Sequence, residues 1–230
     1  MNTKQHIPTI SSLEYQLEDG GIESLVSGCG VTTLRFCGGI SKEVEALRQE
    51  ILNEKRSGMV SSPTVGDVYQ DFHQKVSFDN EELLNTLAQK ISSIVQKTIY
   101  HAGGLRPHVP LVFDSVIIQH YSYSTSNHLY AIPPHYDHKG FVELVVVLLL
   151  EGESLFHTAK DKDCTAEKEI KANEMDLIVM RGFEFQGKDE RPVHYVKKIK
   201  SQTGRTSLSF RIYSKNEEHL NTIRKAFSMT

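Results

Sequence analysis

Two stretches in the first half of the chain carry apolar residues at helical spacing. One follows Ser41, a residue suited to an N-cap, and the other starts at the capping box Asp79-x-x-Glu82 and stops at Gly103-Gly104. The apolar stripes consist of Val44, Leu47 and Ile51 in the first stretch and of Leu84, Leu87, Ile91, Ile94, Val95 and Ile99 in the second. The pattern predicts two amphipathic helices, and the longer one needs a sheet on which to lie.

From Leu111 onward the pattern changes to that of β-strands. Short runs rich in β-branched and aromatic residues follow one another, with no helical pattern between them. The predicted strands cover residues 112–121, 141–150, 154–158, 176–180, 193–199 and 206–213, after an earlier strand at 30–36. Two helices followed by at least six strands predict an α+β fold, with an antiparallel sandwich or double-stranded β-helix (jelly roll) core buttressed on one side.

The remaining segments complete a single predicted domain over residues 1–230. Residues 1–30 are polar without clear periodicity, and we expect them to wrap the surface. Residues 56–76 form a long loop between the helices, which is either a substrate lid, with Tyr69 and Phe72 as contacts, or a disordered linker. The domain would then comprise a helical and lid region (1–110), a jelly-roll core (111–215) and a C-terminal helix (216–229).

Composition places the chain among globular proteins. The hydrophobic fraction is 39%, and the longest apolar run, residues 144–150, is too short to cross a bilayer. The polar start lacks the apolar region of a secretory signal. Three cysteines without a C-x-x-C motif argue against a thiolate zinc site and favour a reducing, cytoplasmic or nuclear compartment. We expect no membrane partner.

The net charge of −3 gives no global reason to expect a nucleic acid partner. The segment 188–215 is different, because it holds eight Lys or Arg residues and two acidic ones. These charges, with Lys197 and Lys198 among them, could contact phosphates. The alternative is an ordinary sheet edge protected by lysines.

His135 and Asp137 form the clearest candidate site. In an extended segment, side chains two positions apart leave the same face, so the imidazole and the carboxylate can converge. His194 is the candidate third ligand, since two histidines and one carboxylate suit non-haem Fe(II). The sequence alone leaves rival histidines open, namely His120, His128, His138 and His157.

A second candidate site lies on the last predicted strand. Arg205, Ser207, Ser209 and Arg211 share one face, and Leu208 and Phe210 share the other. Two guanidinium groups on one face could bind a dicarboxylate, because Arg pairs bidentately with carboxylates. The alternative is a solvated polar face.

These motifs together resemble the AlkB family of Fe(II)/2-oxoglutarate dioxygenases. The run Arg-x-Ser-Leu-Ser-Phe-Arg from Arg205 resembles the family's closing strand, R-x-[N/S]-L-T-F-R. Three further runs, starting at Phe113, Ile132 and Asp176, resemble its F-N-x-x-x-N-x-Y, I-x-x-H and D-L-[LI]-x-[LM]-x-G patterns. The resemblance covers roughly residues 110–215. Gln119 departs from it, because it occupies a position where the family usually has Asn.

The resemblance implies roles for these residues. His135, Asp137 and His194 would bind Fe(II), and 2-oxoglutarate and O2 would be co-substrates. The 2-oxoglutarate contacts would come from Arg205 at the distal carboxylate, Arg211 near the C1 carboxylate, and Tyr121, Ser207 and Gln119. The implied activity is oxidative demethylation or hydroxylation of a modified base in DNA or RNA, with release of succinate and CO2. The alternatives are hydroxylation of a protein side chain or small molecule, and a non-catalytic jelly-roll binding module.

Overall fold

Two antiparallel sheets face each other, and helices cover the outer face of the larger one. The computed structural model describes residues 13–38, 42–55, 60–61, 64–65, 68–69, 73–75, 81–122, 129–153, 155–197, 199, 204–218 and 221. Within these residues, every pairing between the strands named below is antiparallel. This is a jelly-roll core with helices on one side, so the predicted α+β class is confirmed.

The major sheet has eight strands in the order β1-β2-β12-β9-β14-β7-β6-β3. They are β1 (Tyr15–Leu17), β2 (Val31–Phe36), β12 (Leu177–Arg181), β9 (Phe141–Glu151), β14 (Arg205–Tyr213), β7 (Ser115–Tyr121), β6 (His73–Lys75) and β3 (Val60–Ser61). β9 lies at the centre and is buried on both faces, which explains its nearly unbroken apolar run.

The minor sheet has four strands in the order β11-β10-β13-β8. They are β11 (Lys168–Ile170), β10 (Phe156–Ala159), β13 (Val193–Lys197) and β8 (Tyr130–His135). A separate pair joins β4 (Thr64–Val65) to β5 (Val68–Tyr69). β8 is an edge strand, and this position tolerates Pro133 and Pro134, which cannot donate backbone hydrogen bonds.

The helices are α1 (Gly21–Val26), α2 (Lys42–Lys55) and α3 (Glu81–Val95), and α3 continues as a π-helical segment, Gln96–His101. The apolar stripes of α2 and α3 are buried in one cluster with Leu148, Leu208 and Phe210 of the major sheet. A second, smaller cluster, including Val145, Ile178 and Val196, fills the space between the two sheets. β9 and β12 therefore contribute alternate residues to two cores. No helix in the described part of the chain is long and apolar enough to span a bilayer.

Three sequence-based expectations need correction. Residues 13–26 do more than wrap the surface, since they contain β1 and α1, and Leu13 and Leu25 are buried. The described parts of 56–76 are short strands, and β6 extends the major sheet by pairing with β7. In the second half of the chain, β8 and β11 were not predicted as strands. The N-cap at Ser41, the Asp79 end of the capping box and most of the predicted helix 216–229 lie outside the described residues.

Candidate metal centre

Two histidines meet across neighbouring strands of the minor sheet. β8 ends at His135, β13 begins at Val193, and the register makes His135 and His194 direct partners. Partners in an antiparallel pair project from the same face of a sheet. The two ring centroids accordingly lie 4.3 Å apart. Strand pairing thus places two potential ligands side by side.

Asp137 completes the cluster. Its Oδ1 lies 4.0 Å from Nε2 of His135 and 3.8 Å from Nε2 of His194. One ligand atom from each residue lies within 4.8 Å of the others, and the described residues contain no second such group of His, Cys, Asp or Glu. The structure therefore brings together the three residues that the sequence indicates as metal ligands, and their donor set suits non-haem Fe(II).

Both imidazoles are held in the orientation that a metal site requires. Nδ1 of His135 lies 2.9 Å from the carbonyl oxygen of Pro133, and Nδ1 of His194 lies 3.2 Å from that of Pro192. A carbonyl only accepts, so each Nδ1 carries the proton and donates it. This tautomer leaves the Nε2 lone pair of each ring free and directed at the Asp137 carboxylate.

The electrostatics of the cluster favour ligands in their metal-binding protonation states. Burial and the neighbouring His194 lower the pKa of His135 to about 4, so this ring is neutral at physiological pH. Burial alone would raise the pKa of the Asp137 carboxyl. The nearby His194, Arg211, His135 and Arg191 outweigh that effect and hold this pKa below its ordinary value. A neutral imidazole and a carboxylate are the forms that bind a metal ion.

Arg205 lies in the space between the sheets, against Tyr121, and the charge of Asp137 in turn acts on the Tyr121 hydroxyl. The Arg205 side chain is 1% exposed, it donates to Ser207 Oγ at 3.0 Å, and its Cζ lies 4.9 Å from the centroid of the Tyr121 ring. The pairing of β7 with β14 makes Tyr121 the cross-strand partner of Arg205. Burial raises the pKa of the Tyr121 hydroxyl, against the opposing influence of Arg205 and Arg211, so the hydroxyl remains a donor.

Two buried polar atoms on the same face of β14 have no hydrogen-bond partner among the described residues. They are Nε of Arg211 and Oγ of Ser209. Arg211 instead stacks on the ring of Phe141, with 4.7 Å from Cζ to the centroid. Buried donors in proteins are almost always satisfied, so orphaned ones point to a missing acceptor. An anionic co-substrate with carboxylate oxygens fits this requirement, and the chain therefore fits 2-oxoglutarate at this position.

Gln119 lies on the same inner face. It is buried, and it pairs with Ser207 of β14 on one side and with Gln74 of β6 on the other. The structure thus collects Gln119, Tyr121, Arg205, Ser207 and Arg211 on one wall beside the metal cluster. Their roles toward 2-oxoglutarate stay predictions.

The rival histidines that the structure describes are not members of the metal cluster. His120 contacts Thr206 through Nδ1 at 3.0 Å. His138 accepts a hydrogen bond from the Gly140 N–H, and His157 lies 2.8 Å from the Glu167 carboxylate. Each of the three faces a partner outside the metal cluster. His128 lies outside the described residues.

The structure describes only some of the residues predicted to contact substrate. The backbone of β5, which includes Tyr69, runs close to β8 and hence to the strand that carries His135. Phe72 and Lys198 lie outside the described residues. Lys197 forms an ion pair with Glu167 at 2.5 Å, so its ammonium group already has a carboxylate partner. The substrate contacts proposed for these four residues stay predictions.

Sequence reasoning missed Arg191. Its guanidinium donates a hydrogen bond to the main-chain carbonyl of Asp137, and its Nε pairs with Asp189 at 2.8 Å. The only available signal was its position three residues before His194, because contacts to a backbone carbonyl leave no pattern in the sequence.

No protein-family model and no curated protein sequence matches the chain. Solved structures do. A dioxygenase for auxin oxidation from rice is similar, with a TM-score of 0.61 and 14% identity over 86% of this chain and 80% of that one. The non-haem α-ketoglutarate-dependent carbocyclase SnoK from nogalamycin biosynthesis is similar too, with a TM-score of 0.58 and 13% identity over 89% and 90% of the two chains. The chain has the fold of the 2-oxoglutarate/Fe(II) oxygenases.

Membership of the AlkB subfamily is a finer question than this oxygenase fold. OsALKBH1 overlaps 73% of this chain and 93% of its own, at 14% identity, but the TM-score is only 0.46. That likeness is too weak to carry an argument. The AlkB resemblance therefore stays a prediction that rests on the motifs in the sequence.

Proposed function

We propose that this protein is an Fe(II)- and 2-oxoglutarate-dependent dioxygenase. The observation that carries the proposal is the His135, Asp137 and His194 cluster, with ligand atoms within 4.8 Å of one another. It lies in an oxygenase fold, beside a wall that carries the buried guanidinium of Arg205. These features match the two requirements of the chemistry, a metal ion with open positions and an anchored keto acid.

The three clustered side chains would hold Fe(II), and a site with only three protein ligands would leave the metal accessible to the co-substrates. Iron with 2-oxoglutarate and O2 supplies oxidative decarboxylation to succinate and CO2, coupled to hydroxylation of a substrate C–H bond. The Nδ1 protons of both histidines stay on their rings and are donated to the Pro133 and Pro192 carbonyl oxygens, so neither ring changes tautomer. The site is thus organised before a metal binds.

Residues of β14 and β7 would bind and orient the co-substrate. Arg205 offers a guanidinium fork for the distal carboxylate, with the Tyr121 hydroxyl and Ser207 as further donors. Arg211, whose Nε lacks a partner among the described residues, would meet the C1 carboxylate. The apolar cluster between the sheets, which includes Ile178 and Met180, excludes water from this region and strengthens these charge interactions.

We propose a modified nucleobase in DNA or RNA as the substrate. The support is the AlkB-like closing strand, in which Arg205, Ser207 and Arg211 fall on one face of β14. A base in a duplex cannot reach a buried metal, so the target would be single-stranded or flipped out. If the carbon attacked is an N-methyl group, hydroxylation leads to formaldehyde and the free amine. Tyr69 and Phe72 of the proposed lid, with Lys197 and Lys198, are the candidate substrate contacts.

A protein side chain or small molecule is the second candidate substrate. The net charge of −3 and the existing ion pair between Lys197 and Glu167 favour this alternative. Phosphate contacts would have to compete with that ion pair. If the substrate is instead a nucleic acid, binding should weaken steeply as salt is added.

Two measurements separate these possibilities. Anaerobic protein with Fe(II) and 2-oxoglutarate should show the weak visible charge-transfer band of the bidentate chelate; its absence would indicate a non-catalytic binding module. Turnover across a panel of methylated oligonucleotides, with succinate and formaldehyde both quantified, then tests the substrate. Succinate without formaldehyde on every oligonucleotide, and binding that ignores salt, would exclude demethylation of nucleic acid and favour the second candidate.

A further inference from the structure

Strand pairing fixes two of the three side chains in the metal cluster and leaves the third without this support. His135 and His194 are partners in the ladder between β8 and β13. Asp137 lies beyond the end of β8, in the connection to β9, where the first backbone hydrogen bond is the turn from Phe141 N–H to the His138 carbonyl. Another contact must therefore hold Asp137 at its distance from His194.

Arg191 makes such a contact. Its guanidinium donates to the main-chain carbonyl of Asp137. The same short segment continues through Pro192, whose carbonyl accepts from Nδ1 of His194. The short segment from Arg191 to His194 therefore contacts Asp137 at its start and carries His194 at its end. The hydrogen bond to Asp137 joins the two segments that carry all three clustered side chains.

The Arg191 side chain is itself firmly held. It is 13% exposed and pairs with Asp189 through Nε at 2.8 Å. Its Cζ lies 5.9 Å from the centroid of the Tyr136 ring and 5.6 Å from that of Phe183. Arg suits this role because its planar group can stack on rings while its separate N–H groups bind two acceptors. Lysine has the charge without this geometry.

We infer that Arg191 is a positioning residue of the metal centre. It fixes the Asp137 main chain against the His194 segment, and so sets the 3.8 Å separation of Asp137 Oδ1 from His194 Nε2. Arg191 acts through Asp137, since its hydrogen bond is to the carbonyl and leaves the carboxylate oxygens for the metal. The inference rests on the proposed metal site, and loss of such outer contacts typically weakens metal binding about 10- to 100-fold.

The test measures Mn(II) binding to the full metal-free chain. The EPR signal of unbound Mn(II) is the readout. Mn(II) serves as an air-stable substitute for Fe(II) with similar ligand preferences. The variant is Arg191→Gln and the matched control is Lys139→Gln. Lys139 also pairs with Asp189, at 3.4 Å, and also lies over the Phe183 ring, at 5.2 Å, so the control removes the shared contacts without the bond to Asp137.

We expect Arg191→Gln to raise the Mn(II) dissociation constant about 10- to 100-fold and Lys139→Gln to leave it within about twofold of wild type. The melting temperature of the metal-free protein reports folding separately. Unchanged Mn(II) affinity in Arg191→Gln would overturn the inference, and so would equal weakening in both variants. If Arg191→Gln fails to fold, Arg191→Lys decides in its place. Weaker binding than wild type then supports the role, and wild-type affinity overturns it.

A kinetic measurement distinguishes positioning of the metal from contact with substrate. In uncoupled 2-oxoglutarate decarboxylation, Arg191→Gln should need more Fe(II) but approach the wild-type rate at saturating Fe(II). A rate that stays low at every Fe(II) concentration would contradict a positioning role. Wild-type protein that binds no Mn(II) would instead defeat the proposed function itself, so the two failures are distinguishable.

Discussion

The two faces of β14 share one backbone and have opposite chemistry. Leu208 and Phe210 project into the core beneath the helices, whereas Arg205, Ser207 and Ser209 project between the sheets. All five side chains are at most 1% exposed. Burying a guanidinium and two hydroxyls costs free energy that a purely structural core avoids. The helix-facing side therefore stabilises the fold, and the inner side is the one on which we predict co-substrate binding.

Removing a metal ligand should give the largest effect of all, a loss of activity without a loss of stability. His135→Ala, Asp137→Ala and His194→Ala should each reduce succinate production to a few per cent of wild type or less, because two protein ligands hold Fe(II) poorly. The unfolding free energy should change little, since these side chains are not in the helix-facing core. His138→Ala is the control. Substantial succinate production by His194→Ala would remove this residue from the ligand set.

Truncating a side chain on the helix-facing side should instead lower stability. The Phe210 ring packs against Phe113, with centroids 5.8 Å apart, and Phe210→Ala should lower the unfolding free energy by about 3–5 kcal/mol. The adjacent Ser209→Ala should not lower it, because this change removes a buried hydroxyl that has no partner among the described residues. Urea denaturation of the metal-free protein measures both. Equal losses in the two variants would contradict the division between the faces.

A conservative change on the inner side should weaken co-substrate binding without weakening metal binding. Arg205→Lys keeps the charge but loses the bidentate fork, at a cost of about 1–3 kcal/mol. The apparent 2-oxoglutarate requirement should rise about 5- to 150-fold while Mn(II) binding stays near wild type. Titration of the anaerobic charge-transfer band with 2-oxoglutarate measures the first quantity. Unchanged 2-oxoglutarate affinity would assign the carboxylate anchor to Arg211.

The smallest effect concerns a polar group in the helix-facing region. Glu143 accepts hydrogen bonds from the Tyr100 hydroxyl at 2.6 Å and from the His108 N–H at 3.1 Å, and burial raises its pKa despite these donors. A raised carboxyl pKa favours the protonated folded state, so this contribution to stability is lost as pH rises through the folded-state pKa. Glu143→Gln should abolish that part of the pH dependence above pH 4.5. Identical stability–pH curves for variant and wild type would contradict it.

Periodicity predicted the parts of the fold where burial follows a simple pattern. β9 and β14 were found because one is almost entirely apolar and the other alternates. β8 was missed because Pro133 and Pro134 suppress a strand assignment, and only pairing with β13 reveals an edge strand. β11 was missed because it has three residues, two of them exposed and charged. The local sequence of a short or edge strand carries no information about which distant strand will pair with it.

The candidate site was predictable to the extent that residue type determines chemistry. His135 and Asp137 lie close in sequence, and the arginines of β14 repeat at strand spacing. His194 could only be nominated, because its proximity to His135 depends on a strand register. Arg191 was missed because a contact to a main-chain carbonyl leaves no pattern in the sequence. The side-chain environments of Tyr69, Phe72 and Lys198 lie outside the described residues, so the substrate contacts rest on sequence alone.

The proline pair in β8 also limits what can attach to the protein. An unpaired sheet edge normally offers N–H donors to a passing extended peptide, which is a route both to peptide capture and to aggregation. Consecutive residues of a strand turn their N–H groups to opposite sides, so two adjacent prolines remove an outward donor whichever way the strand faces. The edge next to His135 is therefore a poor template for an added strand. An extended peptide that approaches beside His135 would therefore find fewer main-chain donors on β8 than on an ordinary edge strand.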